Sequence, residues 1–85
     1  MSQKEKLLAK LLSLSKTFTF EEAETLLNYL GYHRTNKGKT SGSRVAFISD
    51  ERHTKIILHK PHPRKELLDY QMKQLIDQLQ KEGLV

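Results

Sequence analysis

The sequence predicts a single α+β domain in which a three-stranded antiparallel sheet packs on two helices, with a further helix at the N-terminus. Three observations support this fold class. Apolar residues recur at helical spacing near both ends of the chain, they alternate with polar residues in the middle, and turn-forming residues separate these segments. A chain of 85 residues has room for one small core, so residues 1–85 are expected to form one domain.

Two helices are predicted in the first third of the chain. The first covers residues 4–15, where the leucines recur at helical spacing, and polar residues 15–17 end it. The second covers residues 20–30. Thr19 and Glu22 have the spacing of a capping box, in which each side chain accepts a hydrogen bond from the other residue's backbone N–H. Gly31 can adopt the left-handed conformation that closes a helix.

Three strands are predicted next, over residues 32–35, 43–49 and 54–59. A basic connection, residues 36–42, joins the first two strands, and the polar turn 50–53 joins the last two. If Ser49 pairs with Thr54, the register also sets Arg44 opposite His59. One sheet face is then wholly apolar and packs on the helices. The opposite face carries these residues: Arg44, Ala46, Ile48, Lys55, Ile57 and His59.

The last element is a helix that ends near Glu82 and Gly83. The prolines of Lys60-Pro61-His62-Pro63 stop the third strand, because proline cannot donate a hydrogen bond to the sheet, and a loop follows. Asp69 is the candidate N-cap of this helix. Its apolar positions recur at helical spacing: Leu67, Leu68, Met72, Leu75, Ile76 and Leu79.

The positive charge of the chain is concentrated in its middle. Residues 31–65 hold nine Lys or Arg side chains and two acidic ones, a net charge of +7, whereas the whole chain has a formal charge of +5. Such a segment is typical of a surface that binds a polyanion. A solvated basic surface without a ligand and an acidic protein partner remain alternatives.

Several classes of function are excluded or not expected. The chain has no cysteine, which excludes disulfides, thiolate zinc sites and a cysteine nucleophile. The glycines of residues 38–42 lack the spacing of a nucleotide-binding P-loop, and the four histidines lack the spacing of a metal site, so neither a metal nor another cofactor is expected. No apolar run reaches the 18 residues of a membrane span, so a soluble, unprocessed, cytoplasmic protein is expected.

Arg44 and His59 are the candidate catalytic residues. A histidine can transfer protons near neutral pH, and an arginine can hold a phosphate through two hydrogen bonds, so the pair suits chemistry on RNA. An exposed histidine that lies beside an arginine without any function is the alternative. The candidate RNA-binding residues are Lys37, Lys39, Ser43, Lys55, Lys60 and His62.

The chain resembles the HicA family of bacterial toxins in two features. One is the order of its elements, and the other is the motif over residues 37–43, which a basic residue follows at the opening of the second strand. Further matching features are Gly42-Ser43, Pro61-His62, Glu66-Leu67 and residues 72–76. The resemblance covers residues 19–84 and leaves the first helix outside. It implies a double-stranded-RNA-binding-domain-like fold and a ribonuclease that cleaves mRNA independently of the ribosome. It also implies a HicB-like antitoxin that covers the active surface.

The sequence departs from the family at one position. The family's catalytic histidine directly follows Gly-Ser, where this chain has Arg44, and a guanidinium cannot act as a general base. Either His59 performs the proton transfer while Arg44 stabilises the phosphorane, or the protein binds RNA or its antitoxin without cleaving. A protein-interaction domain that uses the first helix is a third alternative. The expected partners are mRNA and the antitoxin, with no membrane, and the expected state is a monomer or a weak homo-oligomer.

Overall fold

The computed structural model describes residues 2–35, 44–61 and 63–85. In chain order the elements are α1 (Gln3–Leu12), α2 (Phe20–Tyr29), β1 (His33–Thr35), β2 (Arg44–Ser49), β3 (Thr54–His59) and α3 (Asp69–Lys81). The strands form one antiparallel sheet in the order β1-β2-β3. The predicted α+β arrangement with an additional N-terminal helix is therefore confirmed.

The register of the β2–β3 hairpin is the predicted one, with Ser49 opposite Thr54 and Arg44 opposite His59. β1 adds a third strand to it, since His33 pairs with Ile48 and Thr35 with Ala46. We call the face that carries these residues, together with Arg44 and His59, the outer face. The inner face buries four apolar side chains: Val45, Phe47, Ile56 and Leu58.

The inner face and the helices share one core. The rings of Phe20 in α2 and Phe47 in β2 lie 6.3 Å apart between centroids. α1 belongs to the same core because Leu7 and Leu11 are buried in it. None of the helices in the described part of the chain has the length and apolar character that a membrane span requires.

α2 begins and ends as predicted. Thr19 and Glu22 form the reciprocal capping box, and Gly31 closes the helix with φ of 94°. The Glu22 carboxylate also binds the Lys10 ammonium of α1 at 2.9 Å. Burial raises the pKa of Glu22, but hydrogen bonds from the Thr19 N–H and from Lys10 outweigh burial, so the pKa lies below its usual value. The cap thereby fixes α1 against α2 as well as starting α2.

α1 ends earlier than predicted, at Leu12 instead of Ser15. Leu14 has φ of 54°, and the Ser15 N–H donates to the Lys10 carbonyl at 3.2 Å, so a left-handed turn closes the helix without a glycine. Leu14 still packs against the core after this turn. Its contact with the core explains why the leucine spacing continues beyond the helix itself.

The start of α3 also differs from the prediction, because Leu68 and not Asp69 is the N-cap. Leu68 has no polar side chain to accept a hydrogen bond. Instead, its backbone N–H donates to Oε1 of Gln71 at 2.9 Å. The amide of Gln71 therefore satisfies one of the free N–H groups at this helix start, and Asp69 is simply the first helical residue.

A short backbone bridge joins the segment after β3 to the start of α2. Thr19 and Glu66 pair as an isolated antiparallel bridge. On either side of it, the Phe20 N–H donates to the Lys65 carbonyl at 3.0 Å, and the Leu67 N–H donates to the Phe18 carbonyl at 2.8 Å. These bonds hold Lys65 and the residues after it beside α2.

Candidate functional site

Arg44 and His59 lie directly opposite each other at the open end of the β2–β3 hairpin. Residues paired in this way have Cβ atoms about 4.5–5.5 Å apart and point to the same side of the sheet. Both side chains are exposed. The structure thus brings together the two residues that the sequence selected as catalytic candidates, on a surface that a large ligand can reach.

The main chain of His59 is fixed by Gln71 of α3. Nε2 of Gln71 donates to the His59 carbonyl at 3.0 Å, while Oε1 of the same amide accepts from the Leu68 N–H. Gln71 is only 5% exposed. One buried amide therefore ties the last residue of β3 to the first turn of α3, while the imidazole of His59 is exposed on the outer face.

Gln71 was missed by the sequence analysis, although a signal was available. It lies three residues after Leu68 and four before Leu75, so a polar residue occupies a position on the apolar stripe of α3. Buried polar side chains are nearly always hydrogen-bonded, and a glutamine can bond a donor and an acceptor at once. A buried glutamine in this place indicates a bridge between two backbone segments.

The described RNA-binding candidates lie on either side of His59. Lys55 is on the outer face opposite Ile48, two cross-strand rows from His59, which corresponds to about 13 Å along the strand. Lys60 follows His59, and its ammonium lies 5.9 Å from the centroid of the Phe20 ring. Lys60 also lines a cavity of about 200 Å³ beside Arg64 and Lys65. The remaining candidates, Lys37, Lys39, Ser43 and His62, lie outside the described residues.

A second histidine on the outer face was not selected from the sequence. His33 of β1 is exposed and lies in the same cross-strand row as Ile48 and Lys55. The alternation of apolar and polar residues in β1 is weak because the inward position is occupied by Arg34. This side chain is not buried, and it pairs with Glu24 of α2 at 3.9 Å. Only the observed pairing with β2 shows which face carries His33.

Ala46 lies on the outer face as the predicted register requires, but it offers almost no surface there. Ala46 is 1% exposed, because Thr35 and Ile57 flank its short side chain from the two neighbouring strands. Ile57 is 43% exposed and Ile48 is half-buried. Among the described residues of this face, these two isoleucines therefore supply most of the exposed apolar area.

The described residues contain no group of three or more His, Cys, Asp or Glu side chains placed to hold a metal ion. Their concentration of positive charge instead surrounds His59 and continues into the segment that follows it. Arg44 stands across the hairpin from the imidazole, and Lys60 is the next residue in the chain. This arrangement can bind an anion and can accept a proton from a group that the anion carries.

Comparison with known protein families gives a match over most of the chain. A protein-family model described as the HicA toxin of bacterial toxin-antitoxin systems matches residues 20–80 of the chain. The match contains α2, the whole sheet and all but the last residue of α3, and it begins after α1. No curated protein and no solved structure matches the chain.

Proposed function

Because the chain belongs to the HicA family of toxins from bacterial toxin-antitoxin systems, we propose that it is a toxin that cleaves mRNA. Family membership by itself makes the protein a toxin with a cognate antitoxin. The cleavage activity, the residues that perform it and a HicB-like identity of the antitoxin are parts of the proposal. The observation that carries the catalytic part is the opposition of Arg44 and His59 on an exposed sheet face.

The two side chains have different roles in the proposed reaction. The imidazole of His59 takes the proton of an RNA 2′-hydroxyl, and the 2′-oxygen attacks the adjacent phosphorus. Arg44 donates hydrogen bonds to the non-bridging phosphate oxygens and stabilises the charge that builds up on them. The bond to the 5′-oxygen then breaks, and that oxygen takes a proton from water. The products are a 2′,3′-cyclic phosphate and a 5′-hydroxyl.

Arg44 occupies the position of the family's histidine but cannot replace its proton transfer. A guanidinium stays protonated in proteins, so it can only bind and stabilise. His59 lies opposite this position, which places an imidazole beside the same phosphate from the neighbouring strand. The proposal is therefore that the base has moved across the hairpin, from β2 to β3.

Further cations are proposed to bind the phosphates on both sides of the cleaved bond. Lys55 and Lys60 are exposed on the two sides of His59. The proposal extends to Lys37, Lys39, Ser43 and His62, which the sequence places in the connection before β2 and in the loop after β3. Contacts of this kind with RNA weaken as salt rises, because each one releases condensed counterions.

The outer face is also the proposed docking surface of the antitoxin. Ile57 and Ile48 offer apolar area, and Arg44 and Lys55 surround it with positive charge. A partner with an acidic rim would complement this face and would cover the catalytic pair. A HicB-like antitoxin bound in this way would inhibit the toxin by excluding RNA.

A second candidate function is RNA binding without cleavage, and the presence of Arg44 where the family has histidine is the observation that favours it. In this alternative, Arg44 and the neighbouring lysines retain the RNA affinity of the surface while the chemistry is lost. The two functions differ in one measurable product, the cyclic phosphate.

The deciding experiment incubates the purified protein with single-stranded RNA in the presence of a metal chelator. We expect the wild type to arrest growth when expressed alone and to produce RNA fragments that end in a cyclic phosphate. Arg44→Ala should reduce the rate about tenfold and weaken RNA binding, because it removes the phosphate contact. Arg44→His should cleave at least as fast as the wild type, because it restores the family's residue.

The same experiment can disprove the proposed ribonuclease activity. If neither the wild type nor Arg44→His cleaves RNA while both bind it, the catalytic proposal is wrong. The protein is then an RNA-binding module without catalytic activity. Circular dichroism and thermal unfolding of both proteins serve as controls for the fold.

A further inference from the structure

A second cationic surface lies at the start of α3, away from the outer face. An open cavity of about 550 Å³ is found there, and cavities that hold small organic ligands have volumes of roughly 300–1,000 Å³. Leu67, which is buried, and Leu68, which is half-buried, supply its apolar lining. The cavity therefore combines a volume in the range of small-ligand sites with a lining that is partly apolar.

Three cations from three separate chain segments line this cavity. Lys16 comes from the connection between α1 and α2, Arg64 from the segment after β3, and Lys73 from α3. All three are exposed, and none takes part in the ion pairs found among the described residues. Asp69 contributes one negative charge to the lining, so positive charge prevails.

An exposed aromatic ring lies among these cations. Tyr70 is 58% exposed, more than any other large hydrophobic side chain in the described part of the chain. Proteins that bind single-stranded nucleic acids combine cations that follow the phosphate backbone with aromatic rings on which bases stack. Tyr70, together with Lys16, Arg64 and Lys73, reproduces this combination at one place.

The cavity is connected to the proposed catalytic pair through Gln71. The amide of Gln71 bonds the His59 carbonyl on one side and the backbone N–H of Leu68, which lines the cavity, on the other. Arg64 belongs to the same basic segment as Lys60. The cavity and His59 are therefore joined by a main-chain contact through Gln71, and they lie near each other along the chain.

We propose that the cavity is a subsite for one nucleotide of single-stranded RNA that flanks the cleaved bond. Tyr70 stacks on the base, and Lys16, Arg64 and Lys73 bind the adjoining phosphates. This inference rests on the proposed function, because it concerns the same RNA. It also assigns a role to Lys16, which precedes the segment that the family model matches.

The test measures binding of the full chain to fluorescent 2′-O-methyl oligoribonucleotides, which cannot form a cyclic phosphate. Tyr70→Ala should weaken binding about tenfold, within the range of base stacking on an aromatic side chain, and Tyr70→Phe should bind within twofold of the wild type. Lys16→Gln and Lys73→Gln should each lower the slope of log affinity against log salt by about 0.7. Tyr29→Ala is the matched control, because Tyr29 is also exposed but lies on α2 outside the cavity lining.

The outcomes distinguish a failure of the subsite from a failure of the proposed function. RNA binding that Arg44→Ala weakens and Tyr70→Ala leaves unchanged would overturn the subsite and leave the function standing. No RNA binding by the wild type at low salt would reject both. If Tyr70→Ala weakens the complex with the antitoxin and not the complex with RNA, the cavity is a protein-docking site, and the RNA subsite is wrong.

Discussion

The two ends of the β2–β3 hairpin each carry a histidine, yet they are built in different ways. At the open end, His59 has its carbonyl bound by Gln71 and its exposed side chain beside Arg44. At the turn end, His53 has φ of 55°, a left-handed conformation that the tight turn imposes. Asp50 and Glu51 belong to the same turn, whereas the chain neighbour of His59 is Lys60 and its cross-strand neighbour is Arg44.

The turn end uses its polar groups for internal bonds. The hydroxyls of Tyr32 and Thr54 are hydrogen-bonded at 2.7 Å. Oγ of the buried Ser49 accepts from the Arg52 N–H at 3.3 Å. The guanidinium of Arg52 donates to the Glu82 carbonyl at 2.8 Å. At the open end, the hydrogen bond from Gln71 reaches the main chain of His59, and the side chains of Arg44 and His59 are exposed. Residue type alone therefore does not identify a functional histidine. What distinguishes His59 is that its carbonyl is bound by Gln71 while its side chain is exposed opposite Arg44.

Removing each histidine in turn is the strongest test of the difference between the two ends. We expect His59→Ala to lower the rate of RNA cleavage by about 100-fold or more, the usual effect of losing a general base. His53→Ala should change the rate by less than about twofold, because its side chain lies at the opposite end of β3. The rates are measured in chelator with the same RNA, and the unfolding temperature of both variants is compared with that of the wild type. Equal cleavage by His59→Ala and the wild type would remove His59 as the base.

The second prediction compares the stability of the two ends. Gln71→Ala leaves the His59 carbonyl and the Leu68 N–H without their partner, and it should lower the free energy of unfolding by about 2 kcal/mol. Ser49→Ala removes one hydrogen bond at the turn and should cost about 1 kcal/mol. Urea titrations of both variants measure the difference. Gln71→Ala as stable as the wild type would contradict the anchoring role of the amide.

The smallest expected effect concerns the backbone at the turn. Glycine adopts positive φ without the steric cost that other residues bear, so His53→Gly should stabilise the protein by about 0.5 kcal/mol. His53→Val should destabilise it, because a branched side chain fits this conformation poorly. The midpoints of thermal unfolding measure both changes. Equal losses of stability in the two variants would show that the imidazole, and not the backbone conformation, holds the turn.

The hairpin register could be predicted from the sequence because local signals specify it. Two strands joined by a short polar turn must pair as neighbours, and a slip of one residue would turn Val45 and Phe47 to the solvent. The start of α2 was predictable for the same reason, since Thr19 and Glu22 lie three residues apart. The opposition of Arg44 and His59 follows from this register without any knowledge of the helices.

The features that escaped prediction depend on contacts between distant segments. Leu14 leaves the helix because the turn after α1 returns it to the core, and Leu68 becomes an N-cap because Gln71 also binds β3. Ala46 is covered by neighbours from two strands. The cavity around Tyr70 takes its lining from three segments that no sequence spacing relates. Helical and strand periodicity carry no information about such contacts.

The bridge between Thr19 and Glu66 has a consequence for the order of folding. It closes a long loop, and the chain must lose the corresponding conformational entropy before the bridge contributes any stability. The β2–β3 hairpin closes through a short turn, so we expect it to form first. Lys65, whose carbonyl accepts from the Phe20 N–H beside this bridge, then reaches its final place last. A newly synthesised toxin therefore completes the cationic surface near α2 only when the rest of the domain has folded.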